Sequence, residues 1–379
     1  MAQINSLLAI RQAVKTHYET YVYPQFPLLS SVRRCDTYAL NLESLWSRFN
    51  GEKLGSEEQR ILLAGCGSFS PYPTAVANPN AKITALDLSS ANLQRAKFHT
   101  LLHFHFNVDF ITGDLGDASV FLGKDRFHFI DCYGVLHHIP DVCSALRSIH
   151  SLLKPGAFVR IMVYSHCARK LVQSAAKAMR ILRINNTNKI RDIYNNTTNG
   201  SRFRQCVDSS YEARFDWGLA DLFLHPYAKA YRLDELLSLL NKAHLEPLLF
   251  THQEASSDTT LEIEKLRALE TNRLLSTHFI LFAGRTEDSE IRNKWQKDKT
   301  KVDTVISLNP VIKKSLPLFP FRPLKPDQKL GFENPPIDVK GNFFLSRFKH
   351  PVKKSTIDSI RWQAIQEYLR ALFLIETID

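Results

Sequence analysis

Between residues 60 and 164 the chain repeats one pattern, a short apolar run followed by enough residues for a helix. The runs are RILLAGCG, AKITALDLS, VDFITGD, FHFIDCYG and AFVRIMVY. Such alternation predicts βαβ units and a parallel sheet. Because the runs lack an in-out alternation, the strands are expected to be covered by helices on both faces. Further strand signals at LEPLLF and THFILFAG extend the domain to about residue 284. In an open sheet of this kind, ligands bind outside the carboxyl ends of the strands.

Other features divide the rest of the chain. At 379 residues, 44% hydrophobic and 23% charged, it reads as a folded protein of one large or two to three small domains. Residues 1–50 form a helical extension, with an amphipathic helix over 4–20 stopped by Pro24 and Pro27. Residues 51–284 form the α/β domain. It is interrupted at about 165–230 by a segment too long for a connection, which is read as a cap. Residues 285–379 form a basic, proline-containing C-terminal extension, read as a separate appendage. It holds KDKTK, LPLFPFRPLKP and one convincing helix after Lys354.

No apolar run is long enough for a membrane span, and Arg11 and Lys15 come too early for a signal peptide, so a cytoplasmic protein is expected. The six cysteines form no CxxC pair, and His99, His103 and His105 lack an acid or cysteine to complete a metal site. Those histidines are read as a solvated helix face, and no metal is expected.

Chemistry concentrates at the predicted strand ends. Gly65 and Gly67 in AGCGS let the backbone turn sharply and approach a ligand at a helix N-terminus. Asp87 ends the next strand twenty residues after Gly67, where a carboxylate accepts from both hydroxyls of a ribose. A dinucleotide fingerprint would place glycine where Ser70 stands, so an NAD-dependent oxidoreductase ranks behind other readings. The third run ends in Gly113-Asp114-Leu115 and the fourth continues as DCYGVLHHIPD, adding acids and polar groups at the same edge.

These residues resemble the core of the class I S-adenosylmethionine-dependent methyltransferases. AGCGS resembles the glycine loop, ALDLS the ribose-binding strand end, TGDL the adenine-binding turn, and YGVLHHIPD with LLKPGAFVRI the fourth and fifth strand regions. YETYVYP at 18–24 and DLFLH at 221–225 are similar to segments of a bacterial subgroup of these enzymes. The resemblance implies a Rossmann-like, seven-stranded, mostly parallel sheet at 51–284 and S-adenosyl-L-methionine as cofactor. It also implies that Gly65, Cys66 and Gly67 pack against the methionine moiety, Asp87 holds the ribose, and Asp114 contacts the adenine amino group, with Leu88 and Leu115 beside the ring. Two positions depart from the family pattern: Leu63 stands where many members carry an acid, and Phe69 where they carry a third glycine. The Ser68 hydroxyl is a candidate compensator at the loop.

Methyl transfer requires alignment and exclusion of water, and a hydroxyl or carbon-acid acceptor also requires a base. His137 and His138 follow the fourth strand, and since successive side chains diverge, one of them is expected to serve. Asp221 and His225 stand at i and i+4, with Tyr227 beside them, so the carboxylate is placed to orient the imidazole. Tyr18, Tyr21 and Tyr23 are candidates to roof the site, and Tyr133 to contact cofactor or substrate. The acceptor is unidentified, with a small molecule or carrier-bound metabolite preferred.

Net charge is +11. Residues 168–207 alone carry nine Lys or Arg against the single acid Asp192. That segment is a candidate surface for RNA, an acidic carrier or anionic lipid. The rival to an enzyme is a non-catalytic Rossmann-like partner or RNA-binding subunit that uses it.

Overall fold

The computed structural model describes residues 2–298, 303–317 and 322–378. Of KDKTK only Lys297 and Asp298 are among them, and of LPLFPFRPLKP only 316–317 and 322–326; the remainder of both motifs lies outside the described residues.

The apolar runs become strands β1 (Arg60–Ala64), β2 (Lys82–Asp87), β3 (Val108–Thr112), β4 (Phe127–Tyr133) and β5 (Leu153–Val163). Strands β6 (Leu245–Phe250) and β7 (Phe279–Arg285) complete a sheet of order β3-β2-β1-β4-β5-β7-β6. Pairing is parallel from β3 to β5, while β7 is antiparallel to both β5 and β6. Ile61, Leu62, Leu63 and Ala64 are all buried, as a doubly covered strand requires. The chain leaves β1 toward β2 on one side and returns to β4 on the other, so the strand order reverses between β1 and β4. That reversal opens the crevice in which ligands bind.

Three additions surround this sheet. The helix Ala2–Thr20 docks onto the helix Ser90–Leu102, where Glu19 accepts from the free amides of Ser90 (2.7 Å) and Ala91 (3.2 Å). A carboxylate at a helix N-terminus satisfies orphan donors and meets the positive end of the helix dipole. The cap is helical, led by His166–Ile181, Thr187–Asn196 and Arg202–Asp208, and closes over its own small core of Met179, Ile190, Leu219 and Phe223.

The C-terminal extension differs from its sequence reading. It contains four α-helices among the described residues, Ser289–Asp298, Pro310–Ser315, Val339–Ser346 and Ser359–Arg370. It also forms a second sheet of β8 (Thr304–Leu308), β9 (Val352–Lys353) and β10 (Leu374–Ile378), ordered β10-β8-β9. It is no detached appendage, because Ile306, Ile312, Leu345 and Phe373 belong to the same apolar cluster as β1 and β5. Asn309 donates to the carbonyls of Tyr38 (3.1 Å) and Leu372 (2.9 Å), and the Ile378 amide donates to the Gly51 carbonyl (2.8 Å). Apolar residues scattered among prolines and charges carry no readable period; the partners at 34–51 supply the missing half of the core.

The histidine reading is also corrected. His99 is buried and stacked on Tyr72, its Nε2 bonded to the Ser30 carbonyl (3.0 Å), while His103 stacks on the same ring at 4.2 Å. Both pin the loop entering the domain.

Phe373 is fully buried and edge-on to Tyr38, with ring centroids 5.0 Å apart. Phe373→Ala is therefore expected to destabilise the chain by about 3–5 kcal/mol. Urea unfolding should show one transition at a lower midpoint; a separate early transition of the extension would contradict a shared core.

Candidate active site

A cavity of about 500 Å³ lies at the reversal point. That volume is in the range of small-molecule sites, roughly 300–1,000 Å³. Its floor is made by the turns after β1, β2 and β3. The amides of Gly65 and Cys66 both donate to the Leu86 carbonyl, at 2.8 and 3.0 Å, which folds the loop over the end of β2. Gly65 and Gly67 adopt φ of 76° and 56°, the region that glycine enters without steric cost. A Cβ at Gly67 would lie 2.7 Å from the Tyr23 carbonyl oxygen, so the N-terminal segment can cross the loop only because no side chain is there.

Asp87 fixes this loop. Its carboxylate accepts from the amides of Gly67 (2.8 Å) and Ser89 (2.9 Å) and from the Asn92 amide (3.3 Å). Burial raises its pKa, and the Ser89 and Gly67 amides partly offset that rise. Three donors leave acceptor capacity on two oxygens that line the cavity. Asp114 accepts from the Gly116 amide (2.7 Å) and from Arg11 Nε (2.6 Å), while a second nitrogen of Arg11 reaches Asp117 (3.1 Å). The N-terminal helix is thereby clamped across the cavity mouth.

The opposite wall is a buried polar cluster. Asp221 accepts from the Tyr18 hydroxyl (3.1 Å), and Glu212 from the Tyr23 hydroxyl (2.9 Å). Both tyrosines titrate well above their ordinary range, chiefly because they are buried and next because Asp221 is near. His138 Nδ1 lies 2.9 Å from the Tyr227 carbonyl, which can only accept, so this nitrogen carries the hydrogen. The Nε2 lone pair is left facing Asp221 Oδ1 at 4.0 Å. Burial lowers the His138 pKa, which keeps the ring neutral.

Of the residues singled out from sequence, Gly65, Cys66, Gly67, Asp87, Leu88, Asp114, Leu115, Tyr133, His138, Asp221, Tyr18 and Tyr23 line this cavity. Five do not. Ser68 bonds through its hydroxyl to the Pro24 carbonyl and through its amide to the Tyr23 carbonyl, so it secures the crossing segment. His137 is wholly buried and stacked 3.6 Å from Tyr164, with neither nitrogen partnered. Tyr21 packs against His17, and Tyr227 contributes its backbone, the carbonyl to His138 and the amide to His225.

His225 is not oriented by Asp221. The turn between them, Ala220–Leu224, is a π-helical one, and His225 Nδ1 instead accepts from the Tyr227 amide (3.1 Å). Asp221 faces Tyr18 and His138. Donor atoms of His17, Asp221 and His225 lie within 4.8 Å of one another. With Nδ1 of His225 accepting, its Nε2 bears the hydrogen of the neutral ring and has no lone pair for a cation.

Sequence reading missed Arg11, Glu212, Tyr164 and Arg169, all of which line the cavity, and His17 behind them. One signal was available: Arg11, Val14 and Tyr18 stand at i, i+3 and i+7, which places a charge on the buried stripe of the first helix.

His17 is buried against Tyr18, Tyr21 and His225, and burial pushes its pKa down to about 4. A lowered histidine pKa stabilises the fold fully above the ordinary value of 6.5, and that stability is lost as pH falls toward 4. Between pH 7 and 5 the wild type is expected to lose about 2 kcal/mol more than His17→Gln, compared by urea midpoints. Equal losses would show that the His17 ring is not held neutral.

Residues 56–217 match the family model of a methyltransferase domain. An uncharacterised protein of Synechococcus is 27% identical over 310 residues, covering 73% of this chain and 72% of that one. The ubiquinone biosynthesis O-methyltransferase of Alkalilimnicola ehrlichii is 35% identical over 107 residues, 28% of this chain and 41% of that enzyme. The match thus spans about two-fifths of that relative's length. Among solved structures, PKMT2 of Rickettsia typhi in complex with AdoHcy superposes with a TM-score of 0.54 at 15% identity, over 90% of this chain and 76% of that one. At that identity the likeness concerns the fold.

Proposed function

We propose that this chain, whose residues 56–217 match a methyltransferase domain, is an S-adenosylmethionine-dependent enzyme that methylates a hydroxyl of a small-molecule or carrier-bound acceptor, with His138 as the base. One observation carries this reading: a single cavity joins the glycine loop, Asp87 and Asp114 to the buried His138–Asp221 pair. The O-methyltransferase named above supports an oxygen acceptor.

The residues fit the cofactor. Gly65, Cys66 and Gly67 offer a slim backbone cradle beside which the methionine moiety would lie. Asp87 would offer lone pairs to the ribose hydroxyls, and Asp114 would meet the adenine end, with Leu88 and Leu115 beside the ring; all four line the cavity. When bound, S-adenosylmethionine supplies an electrophilic methyl group on a sulfonium. The protein's own part is to hold the acceptor oxygen, remove its proton and keep water out. The Nε2 lone pair of His138 can take that proton. Asp221, itself steadied by Tyr18, would stabilise the resulting imidazolium across 4.0 Å. Tyr164, edge-on to His138, and Tyr133 both line the cavity.

Isothermal titration is expected to show S-adenosylmethionine and S-adenosylhomocysteine binding, with no NAD binding. Asp87→Ala should weaken cofactor affinity about 10- to 100-fold, the loss of hydrogen bonds to a charged group. An unchanged affinity in the folded variant would remove Asp87 from the ribose site. His138→Gln should lower turnover by roughly 10²- to 10⁴-fold while cofactor affinity stays at the wild-type value. Turnover would be followed as S-adenosylhomocysteine released across a panel of hydroxyl and amine acceptors. If amines are methylated equally well by wild type and His138→Gln, the hydroxyl reading fails. Cofactor binding without turnover on any acceptor would instead support the non-catalytic subunit.

A further inference from the structure

The outer face of the cap bears a surface that methyl transfer does not use. The helix His166–Ile181 buries Met179 in the cap core and Arg169 over the Tyr164 ring at 3.7 Å. Its other side is exposed, and there Lys170, Leu171, Ser174, Lys177, Ala178 and Ile181 recur at helical spacing. At its tip Ile181 is 70% and Leu182 63% exposed, with Arg180 and Arg183 flanking them. None of Lys170, Lys177, Arg180 and Arg183 has an ion-pair partner among the described residues, whereas Arg191, lower on the cap, is bonded to Asp216.

We propose that this tip docks the chain on an anionic bilayer surface, with Ile181 and Leu182 entering the boundary of the acyl chains and Lys177, Arg180 and Arg183 meeting the headgroups. Exposed aliphatic groups flanked by Lys and Arg are the chemistry of an interfacial helix, since transfer of the aliphatic groups out of water adds to the attraction of like-placed cations for anionic lipid. Single-stranded RNA presents phosphate equally well but gains from exposed rings on which bases stack. The tip offers none, since residues 170–183 include no aromatic side chain; elsewhere on the cap Tyr194 is bonded to Asp208 (2.6 Å) with Arg204 over its ring, and Tyr211, 58% exposed, lies edge-on to Phe215. At 1.5 Å per helical residue the tip stands about 18 Å from Arg169 at the cavity wall, so docking and cofactor binding are separable.

The test is flotation of the full chain with phosphatidylcholine vesicles, with and without phosphatidylglycerol. Binding is expected on the anionic vesicles only, falling as salt rises. Lys177→Gln with Arg180→Gln should weaken it about 20- to 30-fold. Ile181→Asn with Leu182→Asn leaves the charge unchanged and should still weaken it by about tenfold or more. The urea midpoint of each variant should equal the wild-type value, which shows an intact fold and keeps this result independent of the methyl-transfer reading. No binding to anionic vesicles overturns the proposal. So does full binding by the Asn pair, or capture of a single-stranded RNA oligonucleotide at a salt concentration where the vesicles are released.

Discussion

The carboxylate of Asp87 ties the glycine loop after β1 to the start of the helix after β2 through Gly67, Ser89 and Asn92. Removed from water, it depends on those donors, because an unpaired buried charge would cost several kcal/mol. The loop it holds is the one that Tyr23 and Pro24 cross, gripped by both the amide and the hydroxyl of Ser68. The helix it starts receives Glu19 at its N-terminus. Floor and roof of the cavity are thus assembled on one buried carboxylate, and a displaced Asp87 would release both.

The far side is built on a different balance. His17, His137, His138 and His225 are all buried, and burial lowers the pKa of each, so the four rings are held neutral. A carboxylate among neutral rings favours a cation that forms beside it, and His138 is the ring whose Nε2 faces Asp221 on the cavity side. His225, though nearer to Asp221 in sequence, has its accepting nitrogen occupied by the Tyr227 amide. Tautomers therefore divide two rings 3.8 Å apart into one base candidate and one spectator.

The additions to the sheet serve the same enclosure. The first helix crosses the mouth with Arg11 on Asp114, and the cap supplies Glu212 and Asp221 from above. The C-terminal extension braces the segment 34–51, which in turn packs beneath β5 and β7 through Phe49 on Phe158 and Phe282. A domain that must exclude water from a polar cavity gains rigidity from such bracing.

The sheet, the crevice and the glycine-loop end of the cavity were legible in the sequence. Short apolar runs, glycines that need positive φ, and acids at strand ends are local requirements, so Gly65, Gly67, Asp87 and Asp114 are legible without knowing what lies across from them. What only the tertiary structure decided is which polar residues face one another across the cavity. The choice of His138 over His137, the turning of Asp221 from His225 to Tyr18, the placing of Arg11 on Asp114, and the merging of the extension into the core all rest on contacts between segments distant in sequence. In each case a side chain settles where a partner satisfies its charge, lone pair or apolar area. No spacing within one segment records where that partner will be.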